Sequence, residues 1–359
     1  MPAKEITYHI IGGGIAGLSC AWFLKNKNKN IRTVVYEASS RLGGRAYSYD
    51  DKELGCRLGN AVHAVIGANQ FMAQFVKKEE WQTTKYFVDP TIFELDDSLL
   101  KNRNYILKAF CNTDANNIAH KIKQNIFKTM FPYTSSKRKV WFSGQDLNQR
   151  IINPLACKVD EIYYNHTLKR ILTQFGVAAS LDFGKQQIDV GSNDKIIIAL
   201  DNFAANKILN VPLLEYSQIV NIIYRTSQKI FLPRGASFVG LKSCIADWIF
   251  VEGDILTAVI SDYKPSLGAL SELSLKVWKE IDNVRGVNSA FVPPHKVVCY
   301  PKATILQNEK NNLQRPQNSL TEYPNVFIAG DWTMKDHPCC METAVKSAKR
   351  AVITSFSKV

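Results

Sequence analysis

No apolar run in the 359-residue chain approaches the roughly 18 residues that a membrane-spanning helix needs. A membrane-spanning helix is therefore not expected. Cys20, Cys56, Cys111, Cys157, Cys244, Cys299, Cys339 and Cys340 are scattered and form no CxxC pair. That spacing argues against a zinc ribbon or a disulfide framework and suits reduced thiols in a cytosol. Cys339 and Cys340 stand beside His337, but adjacent cysteines there read as ordinary loop residues, so no metal site is expected. The opening MPAKEITYHII lacks the unbroken apolar core of a signal peptide, because three glycines follow at once. A cytoplasmic protein is expected. There is no internal repeat, and the one low-complexity stretch, KNKNKN at 25–30, reads as a surface turn. Acidic side chains are the scarcer sign, 32 against 45 basic, for a net charge of +13. Such a field favours acidic partners. No nucleic-acid-binding module appears, so a nucleic-acid partner is not expected.

The basic excess is densest at Lys121, Lys123, Lys128, Lys137, Arg138, Lys139 and Arg150, with Asp146 the one acid among them. Phe127, Met130, Phe131, Tyr133, Trp141 and Phe142 interleave this block. A basic surface carrying aromatics suits peripheral contact with the anionic inner face of a membrane. A solvated charged face with core aromatics behind it accounts for the pattern equally well.

What is present is a nucleotide-binding start. An apolar strand at 6–11 leads into Gly12-x-Gly14-Ile15-Ala16-Gly17 and a helix, and a second strand then ends in Glu37 and Ala38. Gly12 permits the tight turn, Gly14 lets the backbone approach a pyrophosphate, and Gly17 lets the helix pack on the strand. Glu37 lies at the distance suited to an adenosine ribose hydroxyl. Arg41-Leu42-Gly43-Gly44-Arg45 follows directly and offers a second phosphate-facing glycine pair. This points to FAD. Near the other end, a strand through 325–329 runs into Gly330-Asp331-Trp332, and Pro338 precedes a helix starting near Met341. A helix N-terminus there offers free N–H groups and the positive end of a dipole to a reduced flavin. Asp331 can accept hydrogen bonds from ribityl or phosphate-linked groups.

Between these ends the organisation reads as interleaved. The expected fold is α/β, with a Rossmann-like FAD-binding domain of the glutathione-reductase type at 1–67, 155–202 and 290–359. An α+β substrate domain at 68–154 and 203–289 is built on a mostly antiparallel sheet. Helices are expected around Phe71–Val76, 118–131 and 267–281. KIIIALD at 195–201 reads as a buried parallel strand. IVNIIYRT, KIFL, SFVGL, DWIFVEG and DILTAVIS read as successive strands of the second sheet.

The ending AGDWT-x4-P-x3-E-x-A-V-x-S resembles the squalene-associated FAD-dependent desaturases, the hydroxysqualene dehydroxylase family. That family lies within the amine oxidase and phytoene desaturase superfamily. The likeness continues through His63-Ala64-Val65-Ile66-Gly67, Ile219-Val220-Asn221-Ile222, Asp247-Trp248-Ile249-Phe250, Val259-Ile260-Ser261 and Lys302-Ala303-Thr304. It implies hydride transfer at flavin N5 to or from a long, apolar isoprenoid. It also implies that Leu168 passes the adenine, that Asn60 lies at the cofactor, and that Trp248 and Phe250 line the substrate slot. His63 is the candidate acid, with His166 and His337 behind it. One departure stands out: where the family carries Asp-x-Gly-x-His, this chain has Gly59-Asn60-Ala61-Val62-His63. Two other readings stay open. Lys302 could serve an amine oxidase that passes electrons to oxygen, and the missing acid would suit a non-catalytic flavoprotein. The electron donor is not indicated.

Overall fold

The computed structural model describes residues 6–82, 87–90, 94–96, 98, 100–130 and 139–357. Its first layer is a five-stranded parallel sheet, in the order 326–328, 195–198, 7–11, 32–36, 161–163. Ile10, Ile196, Ile197, Ile198, Val326 and Phe327 are fully buried in it, as expected of strands covered on both faces. Helices Ile15–Lys27 and Met341–Ser357 pack together on one face, in a core that includes Leu18, Leu24, Ala348 and Val352. A three-stranded antiparallel sheet, 170–174, 177–182 and 187–189, packs on the other through Leu181 and Phe183. The central strand 7–11 is flanked by its sequence neighbour on one side and by 195–198 on the other. That reversal opens a crevice at the strands' carboxyl ends, where ligands of such sheets bind.

The second layer is a seven-stranded, mostly antiparallel sheet formed by 295–305, 216–225, 255–261, 248–252, 238–241, 87–89 and 94–96. Its two faces differ. Val220, Ile222, Val239, Ile249, Leu256, Ala258 and Ile260 point to helix Leu270–Arg285 and meet Leu273, Val277, Trp278 and Ile281. Each fully buried aliphatic chain there contributes about 1.5–3 kcal/mol. Opposite, cross-strand register sets Asn221, Val259 and Trp248 in one row, and Ile223, Thr257, Phe250 and Phe238 in the next. This second face looks onto the paired strands 63–66 and 140–143.

Several expectations change. Strand 295–305 bonds along 216–225 and so belongs to the second sheet, not to the FAD-binding block at 290–359. The 68–154 region carries strands 87–89, 94–96 and 140–143 beside its helices 103–111 and 120–130. Residues 72–75 form a single 3-10 turn in place of an amphipathic helix. KIFL at 229–232 is irregular: Ile230 and Leu232 are anchored in the core, but Pro233 follows and no strand among the described residues pairs with it. The helix expected at 267–281 runs 270–285 and stops at Gly286 in the left-handed conformation. Among the described residues, no helix is long and apolar enough to cross a membrane.

Candidate cofactor and substrate site

At the carboxyl edge of the parallel sheet, Gly12 turns with φ +109° and its N–H bonds to Tyr36 O. A Cβ on Gly17 would lie 1.9 Å from Gly12 O, so only glycine lets the helix start this close to the strand. Leu18 N–H is the first to bond back, to Gly14 O, and Gly14 caps the helix without a side chain. The N–H groups of the first turn, at Ile15, Ala16 and Gly17, therefore point off the helix end. The Gly43-Gly44 loop docks on this turn: Gly43 N–H donates to Gly13 O at 2.9 Å, and Gly14 and Gly43 form an isolated bridge. A Cβ on Gly44 would stand 3.3 Å from the Gly14 Cα. The two glycine segments thus form one cradle that a side chain would fill. Glu37 closes its flank, accepting from Gly13 N–H at 2.8 Å and from Ser39 N–H and Oγ–H at 2.9 and 2.7 Å. Ala38 follows it at the strand end. The 163–166 segment lies along this strand end, with His166 N–H bonded to Glu37 O and Asn165 N–H to Ser39 O. Leu168 is buried beside Tyr36 and Phe183.

The carboxyl-terminal motif reaches the same cradle. Asp331 is buried, and its Oδ1 accepts from Arg45 Nη2 at 2.7 Å and from Trp332 N–H at 3.0 Å. Arg45 also donates to Ala303 O at 2.9 Å, and its side chain stays 46% exposed, able to reach a ligand phosphate. Gly330 takes φ +140°, with its N–H on Ser347 Oγ. Ala344 N–H is the first to bond back in the last helix, to Cys340 O, so the amides of Met341, Glu342 and Thr343 point off its start. Two helix N-termini, two glycine bends and one half-exposed guanidinium therefore meet at one sheet edge. That donor set fits a dinucleotide pyrophosphate at one helix and an electron-rich flavin at the other.

Two further residues hold this arrangement, and sequence reasoning missed the first, Arg315, altogether. Arg315 is buried and donates to Asp331 O, Trp332 O and His337 O at 2.7, 2.9 and 2.8 Å, fixing the loop that carries Asp331. Glu342 is buried, and its carboxylate accepts from the N–H groups of Gln70, Phe71 and Met72. It joins the last helix to the 72–75 turn. Arg315 has no sequence signal beyond its charge, whereas Glu342 is the acid of the quoted carboxyl-terminal motif, which does not reveal the backbone groups it holds. Asn60 is a strut for the Arg45 loop: its Nδ2 donates to Arg45 O and its Oδ1 accepts from Tyr47 N–H.

The remaining expectations come out unevenly. Trp248 and Phe250 do lie together, with Phe87, Phe142 and Phe238 at ring distances of 5.0–5.9 Å among them. His63 stands by Asn60, but burial pushes its imidazole down to about 4. At pH 7 it is neutral, which argues against an imidazolium acid. Lys302 falls in the irregular stretch between the Tyr300 and Thr304 pairings, and its ammonium sits 3.0 Å from the Phe203 ring centre. That bulge turns it away from the sheet's aromatics. His166 and His337 bond to local carbonyls, Tyr164 O and Lys335 O. Gly59 lacks its acid for a steric reason: a Cβ there would lie 2.4 Å from Gly144 O. Within the basic block, Arg150 pairs with Glu80, Trp141 is buried and Phe142 faces the second sheet. Phe131, Tyr133, Lys137 and Arg138 lie outside the described residues. No group of three or more metal-ligating side chains occurs among the described residues.

Residues 10–78 match the NAD(P)-binding Rossmann-like domain model, and residues 252–352 match the flavin containing amine oxidoreductase model. The chain is 24% identical to a hydroxysqualene dehydroxylase of Sinorhizobium fredii over 98% of both chains. It is also 24% identical to a hydroxysqualene dehydroxylase of Zymomonas mobilis, over 97% of this chain and 99% of that protein. A solved structure of cyclohexylamine oxidase from Brevibacterium oxydans superposes with a TM-score of 0.65 at 12% identity, covering 99% of each chain. It has the same fold.

Proposed function

From its membership of the flavin-containing amine oxidase superfamily, as a FAD-dependent oxidoreductase related over its whole length to hydroxysqualene dehydroxylases, we propose that this chain removes an allylic hydroxyl from a long isoprenoid. Gly14, Ile15, Ala16, Gly17, Gly43, Gly44 and Arg45 would hold the pyrophosphate. Glu37 would hold the adenosine ribose, and Leu168 would flank the adenine. Met341 at the helix start would face the flavin, with Asp331 offering Oδ2 to the ribityl chain. When bound, reduced FAD supplies a hydride to the substrate carbon.

The protein's own part is position and a dry surface. The observation that supports the reading is the side of the second sheet that looks onto strands 63–66 and 140–143, where Phe87, Phe238, Trp248 and Phe250 with Phe142 form an apolar cluster. A hydrocarbon fits such a cluster, and its π-faces would stabilise a developing allylic cation. The test is anaerobic mixing of the photoreduced protein with detergent-dispersed hydroxysqualene, followed by mass spectrometry of the extract. Flavin reoxidation with squalene formed is expected. A flavin that stays reduced with the alcohol, but is bleached by amines when oxidised, would replace this reading with amine oxidation.

A further inference from the structure

The row of aromatics on the second sheet ends in a carboxyl group. Trp248, Phe250 and Glu252 alternate along one strand and so share the side that looks onto strands 63–66 and 140–143. Glu252, the last residue of the strand, is half-buried. Its Oε1 accepts from Ser143 Oγ–H at 2.9 Å, its Oε2 accepts from Gly144 N–H at 3.0 Å, and its backbone O accepts from Gln145 Nε2 at 3.3 Å. Beside it lies a cavity of about 20 Å³, lined by Leu58, Gly59, Ala61, Asn221, Ile223 and Thr257 among others. That volume admits one oxygen-sized group. Asn221 is buried in the cavity wall. Its Nδ2 points to Asn60 O, and its Oδ1 has no partner among the described residues. A buried acceptor left unpaired costs about 1–3 kcal/mol, so such an atom points to a ligand group that donates to it.

The cavity thus presents a carboxyl on one side and an unpartnered acceptor on the other, with apolar wall between. An alcohol matches this pair, since its oxygen carries one hydrogen to give and lone pairs to accept. We propose that the Glu252 carboxyl is the proton donor to the departing hydroxyl, and that Asn221 Oδ1 receives the hydroxyl's own hydrogen and orients it. This rests on the dehydroxylation reading given above. The carboxyl proton passes to the hydroxyl oxygen. The C–O bond then breaks, and its electron pair leaves with water. When bound, reduced FAD would supply the two-electron hydride that quenches the resulting allylic cation. Glu252 remains as carboxylate and regains a proton from solvent.

Burial shifts Glu252 toward its protonated form. Burial raises the Glu252 pKa above the usual carboxylate range. The hydrogen bonds from Gly144 and Ser143 oppose that rise, and the charge of Asp146 adds to it. The geometry also explains how the chain manages without the family's acid at Gly59. The 143–144 corner occupies the space that any side chain on Gly59 would need, and the same corner positions Glu252.

The test uses the FAD-loaded protein and its E252Q and N221A variants. E252Q keeps the shape and an acceptor for Gly144 N–H but has no acidic proton. In infrared difference spectra the protonated-carboxyl band of the wild type should persist to higher pH than that of an ordinary carboxyl and be absent from E252Q. Single-turnover reoxidation of the photoreduced protein by hydroxysqualene should slow by about 100-fold or more in E252Q, the span of a lost general acid, with FAD content unchanged. The flavin spectrum should respond to the alcohol more than to squalene in the wild type, and this preference should shrink in N221A. Wild-type reoxidation rates in E252Q would overturn the Glu252 proposal and leave the dehydroxylation reading intact. A wild type that never reoxidises would sink that reading. The hydroxyl site itself would then stand if the alcohol preference persists in the wild type and is lost in the variants, and fall otherwise.

Discussion

Replacing Glu342 by alanine should cost about 3 kcal/mol of folding stability, as a sum of hydrogen bonds to charge and one stranded donor. The carboxylate is 4% exposed and accepts from Gln70, Phe71 and Met72 N–H at 3.0, 3.1 and 3.0 Å. Met72 is buried, so its N–H would be left unpaired, while the two partly buried donors can turn to water. A loss of that size is a large share of the roughly 5–15 kcal/mol that holds a domain folded. Glu342→Gln keeps one acceptor oxygen and should cost about a third as much. Urea unfolding of the FAD-loaded protein, followed by circular dichroism and flavin fluorescence, gives both values from midpoints at constant slope. An alanine variant within about 0.5 kcal/mol of wild type, the range of ordinary surface changes, would refute the reasoning.

Arg45→Ala and Asp331→Asn should each lower bound FAD, read from the flavin absorbance after desalting. The double variant should lose little beyond the worse single one, because the pair acts through one 2.7 Å contact. Gly59→Asp, which restores the family's acid, should destabilise the fold by about 1–3 kcal/mol through overpacking and should raise no activity. Its Cβ would stand 2.4 Å from Gly144 O. For His63 the burial-lowered value of about 4, against an ordinary 6.5, means that the unfolded chain binds more protons between the two. Stability should be complete above pH 6.5 and fall as pH drops toward 4. His63→Gln should flatten that fall, while the His9 contribution, shifted in the same direction, stays in both proteins. An unchanged pH profile would remove His63 from the account.

Local chemistry made the ends of the chain legible. Gly12, Gly17 and Gly44 stand where backbone conformation or contact leaves no room for a side chain, so their spacing carries the turn geometry directly. Trp248 and Phe250 were named through the family resemblance, and period-two alternation along their strand sets them on one side of the sheet. The same alternation placed Glu252 beside them, a signal that was present but unread. Strand 295–305 was harder. It carries His295, Lys296 and Lys302 and is mostly half-exposed, so no buried run marks it, and only its bonding to 216–225 assigns it. Arg315 and Glu342 depend on backbone groups brought close by the fold; Glu342 and Met72 are 270 positions apart. The absence at Gly59 looked like a lost function in the sequence and reads as a steric exchange in the structure.

The most direct measurement is isotopic. The FAD-loaded protein, photoreduced in heavy water without oxygen, is mixed with unlabelled hydroxysqualene, and the extracted squalene is analysed by mass spectrometry. The exchangeable flavin hydrogen is then deuterium, and the account expects one deuterium on the carbon that lost its hydroxyl, with the flavin reoxidised. Squalene without deuterium at that carbon, or unreacted alcohol beside a flavin that stays reduced, would contradict it.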